Sequence, residues 1–180
     1  MREEFICRKR RDARQALGLD ERPLVVSCWG SLGAREMNKK IAQFMKCECE
    51  ENTPFHHIHA TGSFGWRWMP EYVKEMGVDL AAHPRIDMRE YIYDMPQVLA
   101  AADLIVCRAG AATIAEVCAS GTPCIMVPSP NVTGNHQEKN ARVLERSGAA
   151  AVVREADCDG KSLYETAKAI LSDAGRMRAM

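Results

Sequence analysis

Six short apolar runs punctuate this chain, and longer stretches with helical spacing lie between most of them. The runs are LVVSCW (24–29), FHHIHA (55–60), IDMREYI (86–92), LIVC (104–107), CIMV (124–127) and AAVV (150–153). Each is too short for a helix and bounded by turn residues, so each reads as a strand. Helical spacing fills Ala34 to Cys47, Pro96 to Ala102, Thr113 to Ser120, Asn135 to Arg146 and about Lys161 to Ala174. Strands alternating with helices demand right-handed crossovers and a parallel sheet covered on both faces. The fold expected is α/β: a Rossmann-like parallel sheet of about six strands with helices on both faces. The 180 residues suffice for one domain with a real core.

The first twenty residues stand apart as a charge-rich, helical lead-in carrying Arg8, Lys9, Arg10, Arg11 and Arg14, with the domain proper expected over 21–180. Lys plus Arg and Asp plus Glu are each 24, so the formal net charge is zero and the lead-in reads as a solvated helix. The same balance argues against a nucleic-acid partner. No apolar run approaches the ~20 residues a bilayer crossing needs, and MREEFICRKRR has no signal-peptide core. Of the eight cysteines, Cys28, Cys107, Cys118 and Cys124 sit in or beside apolar segments, where a thiol behaves as a small hydrophobe. That usage points to a reducing cytoplasm. The closing GRMRAM reads as an element cut without a cap.

Ligands of a parallel α/β sheet bind beyond the carboxyl ends of the strands, which directs attention to three loops. Gly30-Ser31-Leu32-Gly33 follows the first strand and opens a helix, whose free N–H groups and dipole suit phosphate. A plain strand-to-helix turn explains the same pattern as often. Arg108-Ala109-Gly110-Ala111-Ala112-Thr113-Ile114-Ala115-Glu116 follows LIVC. Its small residues leave room at the backbone, Arg108 offers a phosphate-pairing fork, and Thr113 and Glu116 share a helix face. A carboxylate there can accept both hydroxyls of a ribose. Thr-x-x-Glu before an apolar run is equally a capping box, and on the local pattern alone the capping box is the better reading. The third loop, 128–140, carries His136, Gln137 and Asn140, side chains that suit sugar hydroxyls and helix starts alike.

Other chemistries find little support. There is no G-x-G-x-x-G and no G-x-S-x-G. Cys47, Cys49, His56, His57 and His59 suggest zinc, but a strand turns His56 away from its two neighbours and the spacing fits no structural zinc signature. No metal and no cofactor is expected.

Taken together, GSLGAREMN (30–38), EYIYDMPQVLAAADLIVCRAGAATIAEV (90–117) and GTPCIMVPSPNVTGNHQEKNA (121–141) resemble the C-terminal domain of the MurG family of bacterial N-acetylglucosaminyltransferases. The resemblance covers almost the whole chain, and its middle block is the specific one. It implies the nucleotide-binding half of a GT-B fold and a donor, UDP-N-acetylglucosamine. By this resemblance Gly30, Ser31, Leu32 and Gly33 hold the pyrophosphate, and Ile92, with Tyr91 beside it, meets the uracil. Arg108, Ala111, Ala112 and Thr113, continuous with Ile114 and Ala115, line the pyrophosphate and sugar. Glu116 binds ribose, Gln137 with its neighbour His136 meets the sugar, and Arg2 matches an arginine at the interdomain linker.

The family usually has Gly where Trp29 stands, Gln for Leu32, Asp for Asn135 and often Gln for His136, departures that touch the phosphate and sugar contacts. Its reaction, transfer of N-acetylglucosamine onto lipid I to give lipid II of peptidoglycan, takes place at the cytoplasmic face of the plasma membrane. The resemblance places the acceptor-binding domain before residues 1–20 and outside this chain. It therefore implies no catalytic base here, contact with lipid I only through that domain, and no transfer by the chain alone. Two rival readings are a stand-alone donor-binding subunit of a two-chain transferase and a non-catalytic nucleotide-binding domain.

Overall fold

The computed structural model describes residues 8–52 and 54–180. Strands β1 (Leu24–Cys28), β2 (His56–Ala60), β3 (Ile86–Arg89), β4 (Leu104–Cys107), β5 (Cys124–Met126) and β6 (Ala150–Val152) form one sheet in the order β3-β2-β1-β4-β5-β6. Every neighbouring pair is parallel. The six apolar runs thus become the six strands. Their last residues (Trp29, Tyr91 and Ile92, Val127, Val153) leave the ladder and enter the loops at its carboxyl edge.

Side chains alternate across the strands, so each face of the sheet collects its own apolar layer. On one face α2 (Arg35–Glu50), α4 (Met69–Glu75) and α8 (Gly160–Leu171) bury Met37, Ile41, Phe44, Val73, Leu163 and Tyr164 against Val25, Val106 and Ile125. On the other, α1 (Arg10–Ala16), α5 (Met95–Ala101), α6 (Ala111–Ser120) and α7 (His136–Arg146) bury Ala13, Val98, Leu99, Val117 and Ala141 against Val26, Ile105 and Met126.

Three short helices escaped the sequence reading. They are α3 (Ser63–Trp66), α4, and α9 (Ala174–Ala179), which is capped by Asp173 accepting from the Arg176 N–H at 2.9 Å. The lead-in helix is largely solvated, with Arg8, Lys9, Arg10 and Arg11 exposed. Arg10 and Arg14 reach the Asp103 carboxylate at 2.6 and 3.2 Å, and the same carboxylate accepts the Leu24 N–H at 2.8 Å. Asp103 therefore ties α1 to the start of β1, and the charges work as a joint.

Among the described residues no helix is long and apolar enough to cross a membrane. Seven of the cysteines lie there, and all are free thiols.

A row of polar side chains runs through the α2 face, every member fully buried: Glu48, His57, Ser27 and His59. His57 Nδ1 and Glu48 Oε2 are 2.8 Å apart, and Ser27 Oγ lies 2.7 Å from both His57 Nε2 and His59 Nδ1. As the strand period requires, His56 points the other way, 2.8 Å from Asp20. Burial and the adjacent His57 hold the His59 imidazole well below its ordinary value, and burial pushes the Glu48 carboxyl up.

Two predictions follow from this packing. A Cβ on Gly160 would sit 2.2 Å from the Lys40 carbonyl oxygen and 2.7 Å from the Phe44 nitrogen, backbone atoms of α2 that cannot step aside. Gly160→Ala should therefore cost roughly 1–3 kcal/mol in urea unfolding; an unchanged midpoint would mean that α8 does not press on α2 this closely. The second concerns pH. An unfolded chain protonates His59 below about pH 6.5 and the folded one does not, so this group removes stability as pH falls through that value. Glu48, raised when folded, acts in the opposite sense above its ordinary 4.5. The wild type should lose more stability than His59→Asn between about pH 7.5 and 5.5, with slopes differing by at most about 1.4 kcal/mol per pH unit. Parallel slopes would assign the pH dependence elsewhere.

Candidate functional site

β1 and β4 are neighbours in the sheet, yet the helices that follow them, α2 and α6, cover opposite faces. Where the connections part, a crevice opens at the carboxyl edge. A cavity of about 170 Å³ lies there, with Cys28 at the end of β1, Ser31 after it, Tyr91 and Ile92 after β3, and Thr113 and Glu116 of α6 among its walls. Met95, Leu99, Ile105 and Val117 make its apolar side. Ile92 is buried, whereas Tyr91 is 45% exposed at the rim with its ring 5.1 Å from that of Tyr93. A pocket with an apolar flank and a carboxylate at one end suits a flat polar base joined to a vicinal diol.

The glycines of the first loop have distinct reasons. Gly33 has φ +81°, and a Cβ there would lie 2.0 Å from the Thr61 carbonyl oxygen; a Cβ on Gly62 would lie 2.1 Å from the Gly33 nitrogen. The loops after β1 and β2 therefore press backbone to backbone, and Ser31 O and Leu32 O accept the N–H groups of Ser63 and Phe64 at 3.0 and 3.3 Å. Gly33 serves this contact. Gly30, at φ +82°, has open space beside it, and Gly30 and Ser31 are the members of this loop that line the cavity. Leu32 points outward, 57% exposed.

The helix after β4 begins one turn earlier than a Thr-x-x-Glu capping box requires. Gly110 is its N-cap, with no side-chain cap bond, so Thr113 is the third helical residue and Glu116 lies in the second turn. The capping box is thereby excluded, and both side chains line the crevice. Burial and the nearby Glu116 carboxylate push the Cys28 thiol up to about 12. Ala111 and Ala112 are exposed at the helix start, while Ala115 faces solvent and Ile114 packs against the core.

α5, α8 and α9 are capped by Asp94, Asp159 and Asp173, whereas the other described helices, among them α2, α6 and α7 after β1, β4 and β5, begin without a side-chain cap bond. A helix start without a side-chain partner leaves N–H groups and positive dipole for an outside acceptor. At α7, Gln137 Oε1 accepts the Ser129 N–H at 3.0 Å, Asn140 donates to the Ala109 carbonyl at 3.3 Å, and His136 Nδ1 lies 3.0 Å from the Thr133 carbonyl. These bonds join the loops after β4 and β5. A wider groove of about 570 Å³ runs alongside, lined by Glu36, Lys40, Pro128, Arg154 and Glu155.

Arg108 differs most from its sequence expectation. Nη1 donates to the carbonyls of Val127 and Pro128 at 3.0 and 3.2 Å and pairs with Glu155 Oε2 at 2.6 Å, and the guanidinium carbon lies 5.6 Å from the centre of the Trp29 ring. Neither Glu155 nor Trp29 was foreseen as a partner, although Trp29 was marked by its departure from glycine. Arg2 lies outside the described residues. Among those residues, no three His, Cys, Asp or Glu side chains gather as a metal site.

Two proteins named UDP-N-acetylglucosamine–N-acetylmuramyl-(pentapeptide) pyrophosphoryl-undecaprenol N-acetylglucosamine transferase are similar along the whole chain. The one from Acetivibrio thermocellus is 40% identical, with 47% of its own length matched, and the one from Caldanaerobacter subterraneus subsp. tengcongensis is 40% identical, with 48% matched. The crystal structure of Acinetobacter baumannii MurG superposes on 98% of this chain and 47% of its own, with a TM-score of 0.72 and 26% identity. The chain thus spans about half the length of the relatives it matches. Residues 24–180, from the first strand onward, match the glycosyltransferase family 28 C-terminal domain, and the chain belongs to that family.

Proposed function

We propose that this chain binds UDP-N-acetylglucosamine in the crevice between β1 and β4, as the donor half of an enzyme that glycosylates lipid I. The observation that carries the reading is a pocket at the carboxyl edge that gathers Gly30 and Ser31 after β1, Ile92 after β3, and Thr113 and Glu116 of the uncapped helix α6. The names of the relatives, which specify an N-acetylglucosamine donor and an undecaprenyl pyrophosphoryl acceptor, support it.

In this reading the uracil enters beside Ile92, against Leu99 and Val117, and Tyr91 closes the rim. Glu116 accepts the ribose hydroxyls. The diphosphate lies between Gly30-Ser31 and the N–H groups of Ala111, Ala112 and Thr113, with the sugar toward Gln137 and His136. As the bond to the anomeric carbon breaks, negative charge grows on the departing UDP, and helix termini already aimed at it stabilise that charge without reorganising. Nη1 of Arg108 already faces Glu155 and two carbonyls, so this assistance falls mainly to the helices. Deprotonation of the acceptor hydroxyl belongs to residues beyond this chain, as does the site at the cytoplasmic membrane face where lipid I is met.

Calorimetric titration of the chain with UDP-N-acetylglucosamine tests the reading, and saturable binding is expected; no heat and no competition by UDP would overturn it. Charge-assisted hydrogen bonds to ribose contribute about 1.5–3 kcal/mol each, so Glu116→Ala should weaken UDP binding roughly 10- to 150-fold. With the N-cap at Gly110, the same variant should not show the loss of about 1 kcal/mol that a broken capping box would cause. A drop in melting temperature at unchanged affinity would return Glu116 to a purely structural role. In an assay with a lipid I analogue the chain alone should give no product, because positioning of the acceptor, worth about 7–11 kcal/mol of barrier, is not provided. Turnover by these 180 residues would place the base among them.

A further inference from the structure

Arg108 stands where four loops of the carboxyl edge meet. Its own loop follows β4. Its Nη1 holds the carbonyls of Val127 and Pro128 in the loop after β5, at 3.0 and 3.2 Å, and pairs at 2.6 Å with Glu155 in the loop after β6. The guanidinium carbon lies 5.6 Å from the ring centre of Trp29, the first residue after β1. The two ionic side chains are 13% and 17% exposed, so the pair works largely out of water, where its attraction is less screened than at the surface. Glu155 is itself anchored: Lys40 of α2 donates to the carbonyls of Glu155 and Cys158.

A flexible ammonium could keep a charge at this position. It could not reproduce a guanidinium whose Nη1 makes all three polar contacts while its central carbon lies 5.6 Å from the centre of the indole. Two of the loops held in this way lead to the crevice: the loop after β1 supplies Gly30 and Ser31, and the loop after β4 leads into Thr113. The loop after β5 contains Ser129, where Gln137 docks.

We propose that Arg108 is a positioning residue, and that the Trp29–Arg108–Glu155 cluster holds the donor loops in mutual register without contributing a phosphate contact of its own. The inference rests on the donor-binding reading above for its consequence, while the cluster can be tested without any nucleotide.

The experiment compares the wild-type chain with Glu155→Gln, Arg108→Lys and the double variant. Each is first examined by amide hydrogen exchange without ligand and then titrated with UDP. Glu155→Gln preserves shape and removes only charge, so it is the variant that keeps the test open if Arg108→Lys fails to fold. Faster exchange is expected at 108–112 and 127–131 in both single variants, with β2 unaffected. UDP affinity should fall about tenfold in each, Lys should not rescue, and the double variant should be no worse than the weaker single one, as for partners in one contact. A direct phosphate ligand behaves otherwise. Glu155→Gln would then leave affinity unchanged or raise it by releasing the guanidinium, Lys would retain part of the binding, and the two losses would add; that outcome overturns the proposal. Unaltered exchange in Glu155→Gln overturns it as well, whatever UDP does. A wild-type chain that binds no UDP would refute the donor-binding reading and leave the exchange result to judge the cluster.

Discussion

The parallel pairing of β1 with β4, with Val25 opposite Leu104 and Cys28 opposite Cys107, is the constraint from which the rest of the site follows. Adjacent parallel strands must send their chains back over the sheet, and here α2 returns over one face and α6 over the other. The divergence leaves a gap that neither helix can fill, walled by the ends of both strands. Gly30 and Ser31 after β1 and Thr113 in the first turn of α6 line it. The binding geometry is thus set by sheet topology before any particular side chain is chosen.

Loops at such an edge are often mobile, but these are fastened to one another. Gly33 and Gly62 meet backbone to backbone, Asn140 holds Ala109, Gln137 holds Ser129, and Arg108 crosses to Trp29 and Glu155. Contacts of this kind lower the ordering cost that a ligand would otherwise meet on binding. They also explain why glycine is demanded at Gly33, where any side chain would collide with the Thr61 carbonyl.

Much of this architecture was legible in the sequence, because strands buried on both faces appear as short uninterrupted apolar runs. The helices α3 and α4 were not, since SFGWRWMPEYVKEMG mixes aromatic and charged residues without a clear period. Pro70, which reads as a breaker, sits in the first turn of α4, where it is tolerated. The three loops were found from their place at strand ends. The role of Glu116 stayed ambiguous because it hinged on where a helix begins, a boundary that sequence patterns place poorly. Arg108 was recognised as a charge in the right place, but Glu155 lies on a loop that carries no motif of its own. Partners remote in sequence leave no local signal, so the pairing emerged only with the fold.

The buried row of Glu48, His57, Ser27 and His59 has a consequence for how the strands choose their alignment. A strand slipped by two residues keeps its faces, and HHIHA against LVVSC would bury almost the same apolar surface after such a slip. Apolar contact alone therefore discriminates weakly between the two alignments. The polar row does discriminate, because Ser27 reaches both imidazoles only when it stands opposite His59, as it does here. A slipped pairing would strand these groups in a dry interior, at roughly 1–3 kcal/mol for each one left unpaired. The polar side chains in this core thus act as an alignment key, one that fixes the height at which β2 delivers Thr61 and Gly62 to the edge where the loops lock.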